Sequence, residues 1–167
     1  MMKRKVIALI VTMFLFIVLF ISGYLYYLNN PYMQIRTEIT PIDDETYQTL
    51  GTLEYVEHPD QKNFRKMLFT FKFKYSNQVE NINTEMSESI RNLLSSNVYW
   101  TGEGFEYDNI DKKEYIVQEE IVLYTGEITE EEIKERLKEG VFVVKWIEDG
   151  EEKQKEYNIG ETVMFIQ

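Results

Sequence analysis

The stretch KMLFTFKFKYS, Lys66 to Ser76, decides how the rest of the chain is read. Met67, Phe69, Phe71, Phe73 and Tyr75 fall on one side of an extended backbone, and Thr70, Lys72 and Lys74 on the other. Side chains on a strand alternate between its faces, so this pattern predicts a half-buried antiparallel strand with a solvated Lys face. Toward the N-terminus, MQIRTEI (Met33–Ile39) alternates in the same way, with Met33, Ile35, Thr37 and Ile39 on one face. Between them, YQTLGTLEYVE (Tyr47–Glu57) is a weaker strand candidate, bent at Gly51.

Toward the C-terminus the period changes. Met86, Ile90, Leu93 and Leu94 are spaced for one helical face, which predicts a short helix between Thr84 and Asn97. VYWTGEGFEYDN (Val98–Asn109) reads as two short strands around a Gly-containing turn, and EYIVQEEIVLY (Glu114–Tyr124) as a further strand. TEEEIKERLKEG (Thr129–Gly140) is a helix with strong end signals: a Thr129/Glu132 capping box, acids in the first turn and Gly140 to stop it. VFVVKWIE (Val141–Glu148) is apolar on both faces and is expected to be central in its sheet. Asp149-Gly150 is a type I′ hairpin signal leading into KQKEYNI and then TVMFI.

The expected fold is mainly β: an antiparallel β-sandwich, with the immunoglobulin-like arrangement as one form of it, carrying one or two short helices behind a single N-terminal transmembrane helix. The alternative is an α+β sheet with its helices on one face.

The membrane expectation comes from the first thirty residues. Val6 to Leu28 is 23 residues without a charge. A span needs about 20 such residues, and this run is apolar all round rather than on one stripe. Lys3, Arg4 and Lys5 precede it and no basic residue follows until Arg36, which puts the N-terminus in the cytoplasm and the rest outside. A cleaved signal would need a shorter apolar core and a small-x-small site. The best small pair is Ser22-Gly23, with Ile21 in the wrong place. Tyr24, Tyr26, Tyr27 and Tyr32 instead read as an interfacial aromatic belt. The resulting division is a cytoplasmic tail (1–5), a transmembrane helix (6–28), a juxtamembrane linker (29–33) and an extracytoplasmic domain (34–167). Cleavage after Gly23, giving a secreted soluble factor, is the competing outcome.

Charge narrows the partners. The chain carries −11; Lys3, Arg4 and Lys5 supply +3, which leaves about −14 after them. Nucleic acid is excluded as a partner, since phosphates demand Lys and Arg. A basic protein partner fits, alongside the lipid bilayer.

Chemistry is sparse. There is no cysteine and a single histidine, His58. No zinc set, no G-x-S-x-G and no phosphate-binding glycine loop occurs, and no cofactor is expected. His58-Pro59-Asp60 matches the signature tripeptide of the J-domain co-chaperones. The residues before it include Gly51 and acids and no Lys or Arg, so the tripeptide reads as a Pro-Asp turn. Asp108, Asp111 and Glu114 are acids at loop spacing, but Ile110, Lys112 and Lys113 break a calcium-loop pattern. Glu119-Glu120 interrupts an apolar strand, which predicts a bulge or an exposed edge. Trp100, Phe105 and Tyr107 are the candidate binding residues, being aromatics beside glycines near a turn. The expected function is non-catalytic: an accessory subunit of an envelope complex or an immunity-type factor. The alternative from another class is an envelope hydrolase using paired carboxylates.

Overall fold

The computed structural model describes residues 2–29, 31–51 and 56–167; the side chains of 2–10, 25 and 27–29 lie outside the description. The elements are α1 (Met2–Asn29), β1 (Tyr32–Pro41), α2 (Asp44–Gln48), β2 (Phe64–Lys74), β3 (Val79–Met86), α3 (Ile90–Leu94), β4 (Tyr99–Asn109), β5 (Glu114–Tyr124), α4 (Glu130–Leu137), β6 (Val141–Glu148), β7 (Glu151–Asn158) and β8 (Val163–Phe165).

The strands form two sheets that face each other in a sandwich-like arrangement. One has five strands in the order β4-β5-β2-β1-β8, the other three in the order β3-β6-β7. All pairings are antiparallel except β1 with β8, which is parallel. The alternation read in β2 sets the layers. Met67, Phe69, Phe71 and Phe73 are fully buried, and Lys72 and Thr70 lie on the outer face. Phe69 and Phe71 both pack on Phe142 of β6, with ring centroids 5.2 and 4.8 Å apart. Phe73 meets Trp146 edge-on at 5.5 Å. Burying each such ring contributes roughly 2–3 kcal/mol, so this row of phenylalanines holds the two sheets together.

β1 keeps its predicted face inward. Ile39 is buried, and buried Thr37 shares a 2.7 Å hydroxyl–hydroxyl hydrogen bond with Thr162 beside β8. β6 lies between β3 and β7, as its two apolar faces require. The β6–β7 turn places Asp149 and Gly150 at positive φ, the conformation a type I′ hairpin needs. In α4 the capping box is complete, and Ile133 and Leu137 are its buried pair.

Four expectations are corrected. The segment 47–57 is not a strand where it is described: α2 occupies its start, capped by Asp43, and 52–55 lie outside the described residues. The predicted helix over 84–97 shrinks to α3, because Met86 ends β3. β3 was not legible as a strand. A bulge between Glu80 and Asn83 sets two residues against Trp146, so the inward residues Val79, Ile82 and Met86 are spaced three and four apart. That spacing imitates a helix. Residues 98–109 form one strand rather than two, since β4 runs straight through Gly102 and Gly104. Finally, β5 is an interior strand without a bulge at Glu119-Glu120.

α1 ends at Asn29 and β1 starts at Tyr32. The described side chains of α1 cover 11–24 and 26, fewer than the about 20 residues a span requires, and among the described residues no helix is long and apolar enough to cross a membrane. Every side chain from Val11 to Tyr24 is exposed. The register places the start of β1 level with the β4–β5 turn, and both α3 and α4 at the opposite end of the sandwich.

Candidate interaction surface

β4 is an edge strand, paired only with β5. Its first residues are structural. A bulge between Tyr99 and Thr101 leaves Trp100 without an opposite residue. The Trp100 indole N–H donates to the Leu50 carbonyl at 3.1 Å, and its ring meets Phe64 edge-on at 5.6 Å. Ile42, Leu50, Phe64, Val122 and Tyr124 complete this second core, which lies on the outer face of the five-stranded sheet. Trp100 therefore pins the β1–β2 connection to the sheet.

Past the bulge, Thr101 to Asp108 are exposed on both faces. The five-stranded sheet is wider than the sheet facing it, and β4 is the strand left uncovered. Phe105 and Tyr107 share the outer face and remain 54% and 53% exposed. They stand opposite Gln118 and Ile116 of β5. A shallow pocket of about 240 Å³ adjoins Phe105, lined by Glu103, Gly104, Gln118 and Glu120.

The other face of β4 carries Gly102, Gly104, Glu106 and Asp108. The glycines are there for room. A Cβ on Gly102 would lie 2.6 Å from the Tyr99 hydroxyl oxygen and 2.8 Å from Ile121 Cγ1, and one on Gly104 would lie 3.0 Å from Glu119 Cγ. The acids accept hydrogen bonds from tyrosines: Tyr75 donates to Asp108 Oδ1 at 2.5 Å, and Tyr115 donates to Glu106. Burial, reinforced by these carboxylates, pushes both phenols up to about 12. Glu119 sits on the inward side of β5, opposite Phe69 and Gly104. Its burial raises the carboxyl above its ordinary value. Glu120 points outward and is paired with Lys66 at 2.5 Å.

The remaining candidates scatter. Tyr24, Tyr26 and Tyr32 are exposed, while the side chains of Tyr27, Lys3, Arg4 and Lys5 lie outside the described residues. His58-Pro59-Asp60 forms a turn: the His58 carbonyl accepts from Asn63 at 2.9 Å and the Pro59 carbonyl accepts from Tyr47. Glu114 is taken up by Lys72 at 2.7 Å. Among the described residues no group of three or more His, Cys, Asp or Glu is placed to hold a metal ion. A cleft of about 410 Å³ lies on the three-stranded sheet at the β3 bulge, where Asn81, Lys145, Trp146 and Ile147 line it. Glu106 was the residue sequence reasoning missed. The signal was present, because Glu103, Phe105 and Tyr107 alternate with Gly104, Glu106 and Asp108 once the glycines are read as strand residues.

We find no protein-family model that matches the chain and no curated protein that matches it. The functional reading accordingly rests on the geometry of β4 and on the charge and hydropathy of the chain.

Proposed function

We propose that this chain is a membrane-tethered, non-catalytic interaction module, in which α1 holds a bilayer and an immunoglobulin-type sandwich presents β4 to a basic protein partner. One observation carries the binding reading: Phe105 and Tyr107 stand on one face of a regular strand, each more than half exposed, with no described residue of the chain covering them. Rigid aromatics in such positions supply large contact areas at low entropic cost and dominate interface energetics. The acidic charge beyond the first residues steers a basic partner and raises its association rate in a salt-dependent way. An accessory subunit of an envelope complex or an immunity-type factor has this character.

The immunoglobulin-type reading is supported by strand order. With β1 to β7 taken as A to G, the sheets are A-B-E-D and C-F-G, which is the constant-type arrangement. β8 is an addition beside β1, and the chain has no cysteine for an inter-sheet disulfide. The tether reading is supported by the 23 uncharged residues from Val6 to Leu28 and by a helical conformation over Met2–Asn29. At 1.5 Å per residue that helix is about 42 Å long, more than the roughly 30 Å of hydrocarbon it has to cross. Lys3, Arg4 and Lys5 set the cytoplasmic side, and Tyr24, Tyr26, Tyr27 and Tyr32 fall at the outer interface.

The test is chemical crosslinking of the tagged full chain in membranes, at low and high salt, with and without the double substitution Phe105→Ala/Tyr107→Ala. A basic protein should be recovered at low salt, less of it at high salt, and about tenfold less with the double variant. Recovery of no protein at either salt would sink the reading.

A further inference from the structure

The sandwich has four strand edges, and they are not alike. β8 is three residues long. β3 is broken by its bulge, where Asn81 takes a positive φ. β7 is studded with charge, including Lys153 and Lys155. Short length, bulges and edge lysines are the ordinary ways in which an open edge is protected from pairing with another chain. Beyond its bulge at Trp100, β4 is guarded only by the acids Glu103, Glu106 and Asp108, which repel a like-charged strand but not a basic one. From Thr101 to Asn109 it contains no Lys and no Pro, and it runs in continuous register with β5. Among the described residues, the backbone from Thr101 to Asp108 makes no hydrogen bond outside the β4–β5 ladder.

We propose that β4 is a strand-addition site: an extended, alternating basic and apolar segment of a partner protein pairs with its free edge. Main-chain hydrogen bonds would supply the affinity and the alternating side chains the specificity. The two faces of β4 define that alternation. On the outer face, Phe105 and Tyr107 offer an apolar neighbour for every second partner residue. On the other face, Glu106 and Asp108 offer carboxylates for the intervening ones, and Glu103, on the same outer face as Phe105, adds an acid at the end of the aromatic row. Opposite charges on neighbouring strands stabilise the pairing and like charges oppose it. A second copy of this chain is therefore a poor occupant, because β4 against β4 brings Glu103, Glu106 and Asp108 alongside the same three acids.

The proposal rests on the interaction-module reading, yet the two fail separately. The probe is a synthetic peptide of alternating Lys and Val, about ten residues long to match β4, added to the full chain in detergent micelles. Its control has alternate Val residues replaced by Pro, which cannot donate to a ladder. The readouts are affinity and backbone amide exchange. The Lys/Val peptide should slow exchange at alternate residues within 101–108 by about tenfold or more. Its affinity should fall with salt, fall about threefold in Glu103→Lys, and be lost in the Pro peptide. Strand addition is overturned by absence of binding at about 1 mM peptide, by binding that leaves the β4 amides unprotected, by equal binding of the Pro peptide, or by concentration-dependent protection of β4 in the protein alone, which would assign the edge to a second copy. If β4 stays unprotected while membrane crosslinking still recovers a partner, strand addition falls and the module reading stands. Protection of β4 with no partner recovered gives the reverse.

Discussion

Glu119 is the side chain most at odds with its surroundings. It lies on the inward side of an interior strand, opposite Phe69, and burial raises its pKa above the ordinary 4.5. A group whose folded value is raised contributes most below its unfolded value, and that contribution is lost as pH rises through the folded one. Glu119→Gln should therefore raise Tm at pH 7 by about a degree or more and leave it unchanged well below pH 4.5. Equal shifts at both pH values would show that the effect is not ionisation. The same sign governs the tyrosines. Tyr75 and Tyr115 are pushed up to about 12, first by burial and then by their hydrogen bonds to Asp108 and Glu106. Their stabilisation should be intact below pH 10 and disappear between about 10 and 12. An ultraviolet titration should show two late-ionising phenols, and Asp108→Asn should bring one of them back toward 10. A full complement of phenols ionising together near 10 would contradict the burial of this pair. The sequence could flag Glu119 as unusual but not explain it, because whether it faces water depends on the strand beside it having glycine at position 104.

At the scale of elements, legibility followed regularity. β2 and α4 were plain because each repeats one period without interruption over its whole length. α4 also carries its own start signal, and that signal has a measurable worth: Thr129→Ala removes a side-chain bond to the Glu132 amide and should lower stability by about 1 kcal/mol in a denaturant titration. No change in the midpoint would mean that tertiary contacts alone hold the helix start. β3 and β4 were misread for opposite reasons. In β3 a bulge shifts the inward residues to a helix-like spacing, a feature created by pairing with β6. In β4 the glycines resemble turn residues, yet they are placed inside a strand by the close approach of Tyr99, Ile121 and Glu119. The aromatic trio divided accordingly. Trp100, before the glycines, packs under the β1–β2 connection, whereas Phe105 and Tyr107, beyond them, remain open.

For the whole molecule, the phenylalanine row is the main joint between the sheets. Phe71 touches Phe142 and Tyr157 and is fully buried, so Phe71→Ala should destabilise by about 3–5 kcal/mol and lower the thermal midpoint. A loss under about 1 kcal/mol, read from chemical unfolding, would mean that the sheets are joined elsewhere. The proposed attachment of this sandwich to a bilayer is open to direct weighing: intact-mass measurement of the chain from membranes should retain Val6–Leu28, and a mature chain beginning at Tyr24 would turn the anchor reading into the secreted one. Because the sequence has no cysteine, a single introduced label at Leu15 can report lipid contact without background.

Periodicity, charge and hydropathy are properties of neighbours along the chain, so the sequence by itself determined the regular strands, the capped helix, the acidic balance and the uncharged N-terminal run. Which face of each strand meets a partner is a property of neighbours across space. Only the tertiary structure decided that the five-stranded sheet overhangs a three-stranded one. From that mismatch follow the exposed face of Phe105 and Tyr107, the perturbed Glu119 and the open edge of β4, while the packing of Trp100 follows from the β1–β2 connection folding over the outer face. Each depends on what lies opposite, and a one-dimensional pattern does not record what lies opposite.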